Sequence, residues 1–299
     1  MIRRLFVLFT FIITGSAAAD SGFYFLRTEK TPFTISAAQT SYLFHGTAQN
    51  SGLNPASVFS ENIFEGIAAY TSPEEDENTV SISASYKEDR TLYGLAIDYM
   101  SVTGLEGREI PSDDPAYEFG ARNLIAAFTY ARKFDSGLTA GITGKYLFEK
   151  IEYDDAYGFA GSIGIFRENN FTDGLNLGLA VNNIGSMSEL DAEKADLPID
   201  ILFGAGYGMN FAGDFRFSLG NSTRYLINDE KTENFTGIEI GYQKKAFVRF
   251  GYRANNEGSP FSAGIGFSIN NITFDYSYTP FTDDAVNDNH AVSVGYAIK

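Results

Sequence analysis

Leu175-Asn176-Leu177-Gly178-Leu179-Ala180-Val181-Asn182 is the stretch that decides the fold. One set of alternate positions reads Leu, Leu, Leu, Val and the other reads Asn, Gly, Ala, Asn. A period of two belongs to a β-strand with one apolar face and one polar face. Phe261, Ala263, Ile265, Phe267 and Ile269 alternate in the same way with Ser262, Gly264, Gly266, Ser268 and Asn270. So do Ile272, Phe274, Tyr276 and Tyr278 with Thr273, Asp275, Ser277 and Thr279. A soluble sandwich also alternates, but its exposed face is rich in charge. Here the polar face is mostly Gly, Ser, Thr and Asn, which suits the inside of a barrel whose outside touches lipid.

Fourteen such stretches follow one another, at about 63–71, 78–86, 92–100, 121–132, 138–148, 157–167, 174–183, 199–210, 214–221, 235–243, 246–253, 259–269, 272–279 and 289–298. The count is even, as a bacterial single-chain barrel requires. Links after even-numbered strands are tight, for example Ala212-Gly213, Lys244-Lys245 and Asn270-Asn271. Links after odd-numbered strands read as longer: Ser101 to Gly120, Glu149 to Ala156, Ile184 to Pro198, Ser222 to Asn234 and Pro280 to Asp288. Short periplasmic turns and longer outer loops give that parity. It predicts an antiparallel barrel with residues 63–299 as its wall and both termini in the periplasm. By the same alternation Leu175, Leu177, Leu179, Val248, Phe250, Phe274 and Tyr276 should face lipid.

The first residues agree with this compartment. Met1-Ile2-Arg3-Arg4 is basic, Leu5 to Ile13 is apolar, and Ser16-Ala17-Ala18-Ala19 offers small residues for cleavage before Asp20. Residues 1–19 read as a secretory signal peptide, too short in its apolar run to span a bilayer comfortably. The chain has no cysteine and a formal net charge of −16. That charge argues against nucleic acid as a partner, because phosphate binding needs a cationic surface. There are 18 Tyr, 27 Phe and no Trp, so an interfacial aromatic girdle must be built from Tyr and Phe.

Catalytic chemistry is sparse, and no enzymatic activity, cofactor or metal is expected. There are two histidines, His45 before the first strand and His290 at the mouth of the last, and His290 has no obvious serine partner in sequence. The acid pairs Asp113-Asp114, Asp154-Asp155 and Asp283-Asp284 read as solvated loops rather than cation sites. The sequons at Asn170, Asn221, Asn234 and Asn271 carry no mechanism in a bacterial barrel. Alternation turns Glu65, Asp98, Lys145, Asp200, Arg216, Glu239, Arg249, Arg253 and Asp275 into the lumen. Both signs are mixed, which reads as a paired polar network rather than an ion-selective stripe.

Residues 20–62 do not alternate. Gly22-Phe23-Tyr24-Phe25-Leu26 is apolar, and Asn54-Pro55-Ala56 stands just before the first strand. Fourteen strands make a barrel wide enough to hold more than its own side chains, so this segment reads as a plug in the lumen with Asn54 and Pro55 buried.

Asn54-Pro55-Ala56 resembles the motif that ends the N-terminal hatch of FadL-like outer-membrane barrels. Within that superfamily the chain most resembles the PorV/PorQ branch. The resembling pieces are Phe23-Tyr24-Phe25-Leu26, Gly144-Lys145, Val181-Asn182-Asn183-Ile184-Gly185 followed by Leu197-Pro198, Phe250-Gly251-Tyr252-Arg253, Asp275-Tyr276-Ser277-Tyr278-Thr279-Pro280, and a last strand opened by His290. Ile35-Ser36-Ala37-Ala38-Gln39 departs from the family, which has a glycine-rich run there. The PorV/PorQ resemblance implies an accessory barrel of type IX protein secretion or surface attachment, partnered by secretion components or exported cargo. The wider FadL resemblance implies a channel for hydrophobic small molecules. Outer-membrane lipid is a partner under either reading.

Overall fold

The structure is a computed structural model that describes residues 22–74, 76–107, 116–169, 171–190, 194–211, 213–254, 258–282 and 287–299. The expected signal peptide at 1–19 with Asp20, the pairs Asp113-Asp114 and Asp283-Asp284, and Asn170 lie outside the described residues.

Fourteen antiparallel strands form one closed sheet. They are β1 Phe64–Glu74, β2 Glu77–Glu88, β3 Thr91–Gly107, β4 Tyr117–Lys133, β5 Leu138–Ile151, β6 Asp154–Arg167 and β7 Leu175–Met187. The rest are β8 Asp200–Phe211, β9 Phe215–Leu226, β10 Lys231–Tyr242, β11 Ala246–Ala254, β12 Phe261–Ile269, β13 Ile272–Thr279 and β14 Asn289–Ile298. Each pairs with its sequence neighbours, and β1 pairs with β14 from Phe64 opposite Ile298 to Ser72 opposite His290. Closure leaves no edge strand.

The expected faces hold. Leu179, Val248, Phe250, Phe274 and Tyr276 are exposed on the outside, with Leu175 and Leu177 half-buried on the same face. Asn176, Arg249 and Asp275 are buried on the inside. The outward belt carries Ile82, Leu95, Ile97, Ile142, Ile163, Ile265 and Val292, flanked by Tyr86, Tyr93, Tyr252 and Tyr296. No helix among the described residues is long and apolar enough to cross a membrane.

The link lengths correct the sequence reading. Glu149 to Ala156 and Ser222 to Asn234 are not long loops: β5 and β6 are joined by Glu152-Tyr153, and β9 and β10 by Ile227 to Glu230. The strands run on past the apolar belt, where alternation fades because both faces are polar. Strand β9 therefore carries Arg224, which the shorter sequence assignment left in a loop.

The ladder is irregular at three places: between Thr71 and Glu74 in β1, between Val102 and Leu105 in β3, and between Gly161 and Ile163 in β6. Opposite the last, Asn183 takes φ 62 and β7 stops pairing with β8 at Asn182.

Residues before β1 form one short helix, α1 (Pro32–Ser36), and four 3₁₀ turns.

Candidate functional site

Local chemistry shapes the N-terminal segment. Pro32 opens α1, where its missing N–H costs nothing, and Thr31 caps it by accepting from Thr34 N at 3.4 Å. Ser36 Oγ donates to Pro32 O at 2.6 Å. The chain then reverses through Ala38 (φ 43) and Gln39 (φ 59), left-handed positions that glycine would take without strain. Asn54 is extended at φ −148, as the residue before proline should be, and its Oδ1 accepts from Ala56 N at 2.9 Å. Its Nδ2 donates outward to Ile165 O at 3.1 Å and Leu179 O at 3.4 Å on the wall. Asn54, Pro55 and Ala56 are all buried.

The wall is cut to receive this segment. A methyl group placed on Gly141 would lie 2.4 Å from Pro55 C, on Gly164 2.1 Å from Asn54 Oδ1, and on Gly178 2.7 Å from Tyr42 Cε2. On Gly206 it would lie 2.8 Å from Leu43 Cβ, on Gly220 3.0 Å from Phe44 Cε1, and on Gly237 2.0 Å from Thr40 Oγ1. On Gly251 it would meet Ala38 Cβ at 2.7 Å and on Gly264 Ser36 Cβ at 2.5 Å. Eight consecutive strands, β5 to β12, thus each offer an inward glycine against which the segment rests.

Three apolar clusters sit between segment and wall, the smallest of them joining Val58 and the half-buried Phe59 to Leu92 of β3 and Ala131 of β4. Phe33, Tyr42, Leu43, Phe44 and Leu53 pack with Phe166 of β6 and Leu202 of β8. Phe23, Phe25 and Leu26 pack with Ile125, Leu147, Ala156, Ala160, Met187 and Leu197. These inward apolar residues, like Ile67, Leu92, Leu226 and Phe235, stand among small and polar ones on the inner face.

Three ionic clusters tie the same parts together. Arg27 Nη2 lies 2.6 Å from Glu233 Oε1, and Arg27 Nη1 lies 3.3 Å from Asp229 Oδ2. Arg224 lies 3.5 Å from Glu233 and 3.8 Å from Asp200, which also accepts from Asn182 and Asn183 at 3.1 and 3.4 Å. Lys145 Nζ donates to Asn183 Oδ1 at 2.7 Å. In the second cluster Arg249 bridges Glu239 at 2.8 Å and Asp275 at 2.6 Å, with its guanidinium 4.6 Å from the Phe33 ring centre. In the third, Arg253 Nη2 reaches Glu29 Oε1 at 2.8 Å and Ile35 O at 3.1 Å. Glu65 accepts from Thr47 Oγ1 at 2.9 Å and Ala48 N at 2.8 Å, and Asp98 accepts from Ser81 Oγ at 2.6 Å. Buried charges need such partners, because an unpaired ion away from water is costly.

Of the nine inward charges expected from alternation, Arg216 is the exception. It shares the inward face of β9 with Ser218 but is exposed, at the strand end beside the β8–β9 turn. The sequence reading missed Arg27, Glu29, Arg224, Asp229 and Glu233. The first two lie outside any strand, and the others fell in the link assigned between β9 and β10. His290 meets the Tyr276 hydroxyl at 2.8 Å through Nδ1, and His45 stacks on Phe33 with ring centres 4.6 Å apart. No group of His, Cys, Asp and Glu among the described residues could hold a metal ion.

No protein-family model and no curated protein sequence matches the chain. Solved structures do. The toluene transporter TbuX of Ralstonia pickettii superposes with TM-score 0.63 at 12% identity, covering 90% of this chain and 98% of that one. The monoaromatic hydrocarbon channel CymD gives 0.64 at 13%, covering 90% and 97%. The toluene transporter TodX of Pseudomonas putida gives 0.63 at 10%, covering 89% and 97%. The PorV/PorQ assignment and its secretion partners draw no support from these likenesses. What the likenesses do show is the fold: a closed, fourteen-stranded antiparallel barrel like those of these transporters.

Proposed function

We propose that the protein is an outer-membrane channel for small hydrophobic molecules, with residues 20–62 as its hatch and both termini in the periplasm. The observation that carries this reading is the apolar cluster packed between the segment and the inside of the wall. Ile125, Leu147, Ala160 and Met187 point inward from four strands or their ends and surround Phe25 and Leu26. A lumen serving only polar solutes has no use for that surface, whereas ligand sites for apolar molecules are lined in this way. The hydrocarbon-transporting neighbours support the same substrate class. The buried segment, seated on eight wall glycines, supports the hatch. A protein-secretion role has no comparable feature behind it.

The test is toluene uptake by vesicles carrying the mature chain. Wild-type protein should accelerate uptake over protein-free vesicles, and Leu147→Asp should remove most of the acceleration. Equal uptake by wild-type and empty vesicles would overturn the proposal.

A further inference from the structure

Five cations among the described residues rest on aromatic rings: Arg27 on Tyr24, Lys30 on Phe25, Lys133 on Phe59, Arg224 on Phe235, and Arg249 on Phe33 and Phe247. Four of them also hold a carboxylate. Arg27 and Arg224 share that of Glu233, Lys133 has Glu168, and Arg249 has Glu239 and Asp275. Lys30 is the fifth, and it forms no ion pair among the described residues. Its ammonium lies 4.6 Å from the centre of the Phe25 ring and donates to Thr28 O at 2.9 Å. A ring face attracts a cation more strongly where water is scarce, so Phe25 is a principal partner of Lys30.

Phe25 is 1% exposed and stands in the apolar cluster with Leu26, Ile125, Leu147, Ala160 and Met187. That cluster is packed, so a hydrophobic molecule entering it takes the place of a side chain already there. Phe25 is placed to give way. The inward wall glycines meet the segment only from Ser36 onward. Residues 23–31 are instead held to the wall through side chains, among them Arg27 on Asp229 and Glu233, and Glu29 on Arg253. When the Phe25 ring leaves, Lys30 loses its π face. An aromatic newcomer restores that face, and a saturated hydrocarbon of the same size does not. An anion is the poorer fit, because the carboxylates of Asp98 and Glu29 already bear on the ammonium more strongly than the Arg224 guanidinium does.

We propose that Lys30 gives the channel a preference for aromatic over saturated hydrocarbons, its ammonium resting on the face of the ring that takes the place of Phe25. This rests on the reading of the protein as a hydrophobic channel and names the substrate class within it.

Uptake of toluene and of methylcyclohexane tests this, since the two share a carbon skeleton and only toluene has a π face. Each is measured in vesicles carrying the mature chain, as acceleration over protein-free vesicles. Wild type should accelerate toluene severalfold more than methylcyclohexane. Lys30→Met should bring the two accelerations level, and Lys30→Arg should keep them apart. Phe25→Leu removes the chain's own ring and should widen the preference, an opposite sign that a merely structural Lys30 does not produce. The heat-dependent shift of each variant on a gel confirms that it has folded. Equal acceleration of both hydrocarbons by wild type overturns the assignment and leaves the channel standing, whereas acceleration of neither overturns both. The assignment also falls if Lys30→Met keeps the preference or loses both accelerations, or if wild type accelerates benzoate more than toluene.

Discussion

Asn54 joins the segment to the wall with a single side chain. Its oxygen holds the turn at Ala56, and its nitrogen reaches the carbonyls of Ile165 and Leu179 on two strands. The position of Gly164 makes this possible, since any Cβ there would collide with Asn54 Oδ1. Gly164→Val should therefore unseat the segment without altering the outer face. Overpacking of a close-fitted site costs roughly 1–3 kcal/mol, and we expect a lowered melting temperature together with raised conductance in planar bilayers. A variant with wild-type conductance would show that Asn54 does not hold the segment. A second residue tests the opposite face. Leu177 lies on the outward side of β7, level with Ala205. Leu177→Arg should cost roughly 2–4 kcal/mol if that level is near the bilayer midplane, measured by urea unfolding in lipid vesicles. A change near zero would place Leu177 outside the apolar belt.

At the scale of the element, the strands were legible because alternation records two different solvents. All fourteen stand where the pattern put them, with most ends shifted by a few residues and that of β3 extended from 100 to Gly107. The ends of β5, β6, β9 and β10 were not legible. Lys150, Arg224, Lys231 and Glu233 look like loop residues, yet they stand on paired strands. The site was legible in part. Asn54-Pro55 announces a turn by its own backbone preferences. The pairing of Arg27 with Glu233 joins residues 206 positions apart, and no local pattern carries such a contact. The link between β13 and β14 offers its own prediction. Asp288 accepts from the Tyr278 hydroxyl and from Phe281 N at 3.0 Å, so it braces both sides of the link. The Tyr278 hydrogen bond, then that of Phe281, holds its carboxyl below the usual aspartate value. A lowered folded value means stabilisation that is present above the unfolded value and lost as pH falls through the folded one. Proteolysis of this link should therefore quicken at acid pH in the wild type, and Asp288→Asn should be cut quickly at neutral pH as well. Identical neutral-pH cleavage of the two proteins would rule the brace out.

For the whole molecule, the barrel and the segment divide the work. The wall supplies an apolar outside and a closed hydrogen-bond ladder, while the segment fills the inside and, through Arg27 and Glu29, pairs with some of the inward charges. Arg249 between Glu239 and Asp275 would survive without the segment, since all three stand on the wall. Arg253, in contrast, takes its acidic partner Glu29 from the segment. Deleting residues 22–60 should leave a folded barrel with a much larger single-channel conductance in planar bilayers. If the intact protein already conducts as well as the deletion, the segment is not a plug.

The seam between β1 and β14 has a consequence for how the chain reaches this state. Phe64 and Ile298 are direct partners, yet about 230 residues separate them along the chain. Contacts between such distant residues form slowly, because loop-closure entropy must be overcome before the contact contributes. Until that seam forms, every partly assembled sheet has two bare edges and an uncovered apolar belt, the features that drive chains to aggregate. A chain with β1 or β14 weakened should therefore be lost to aggregation before it is lost to unfolding.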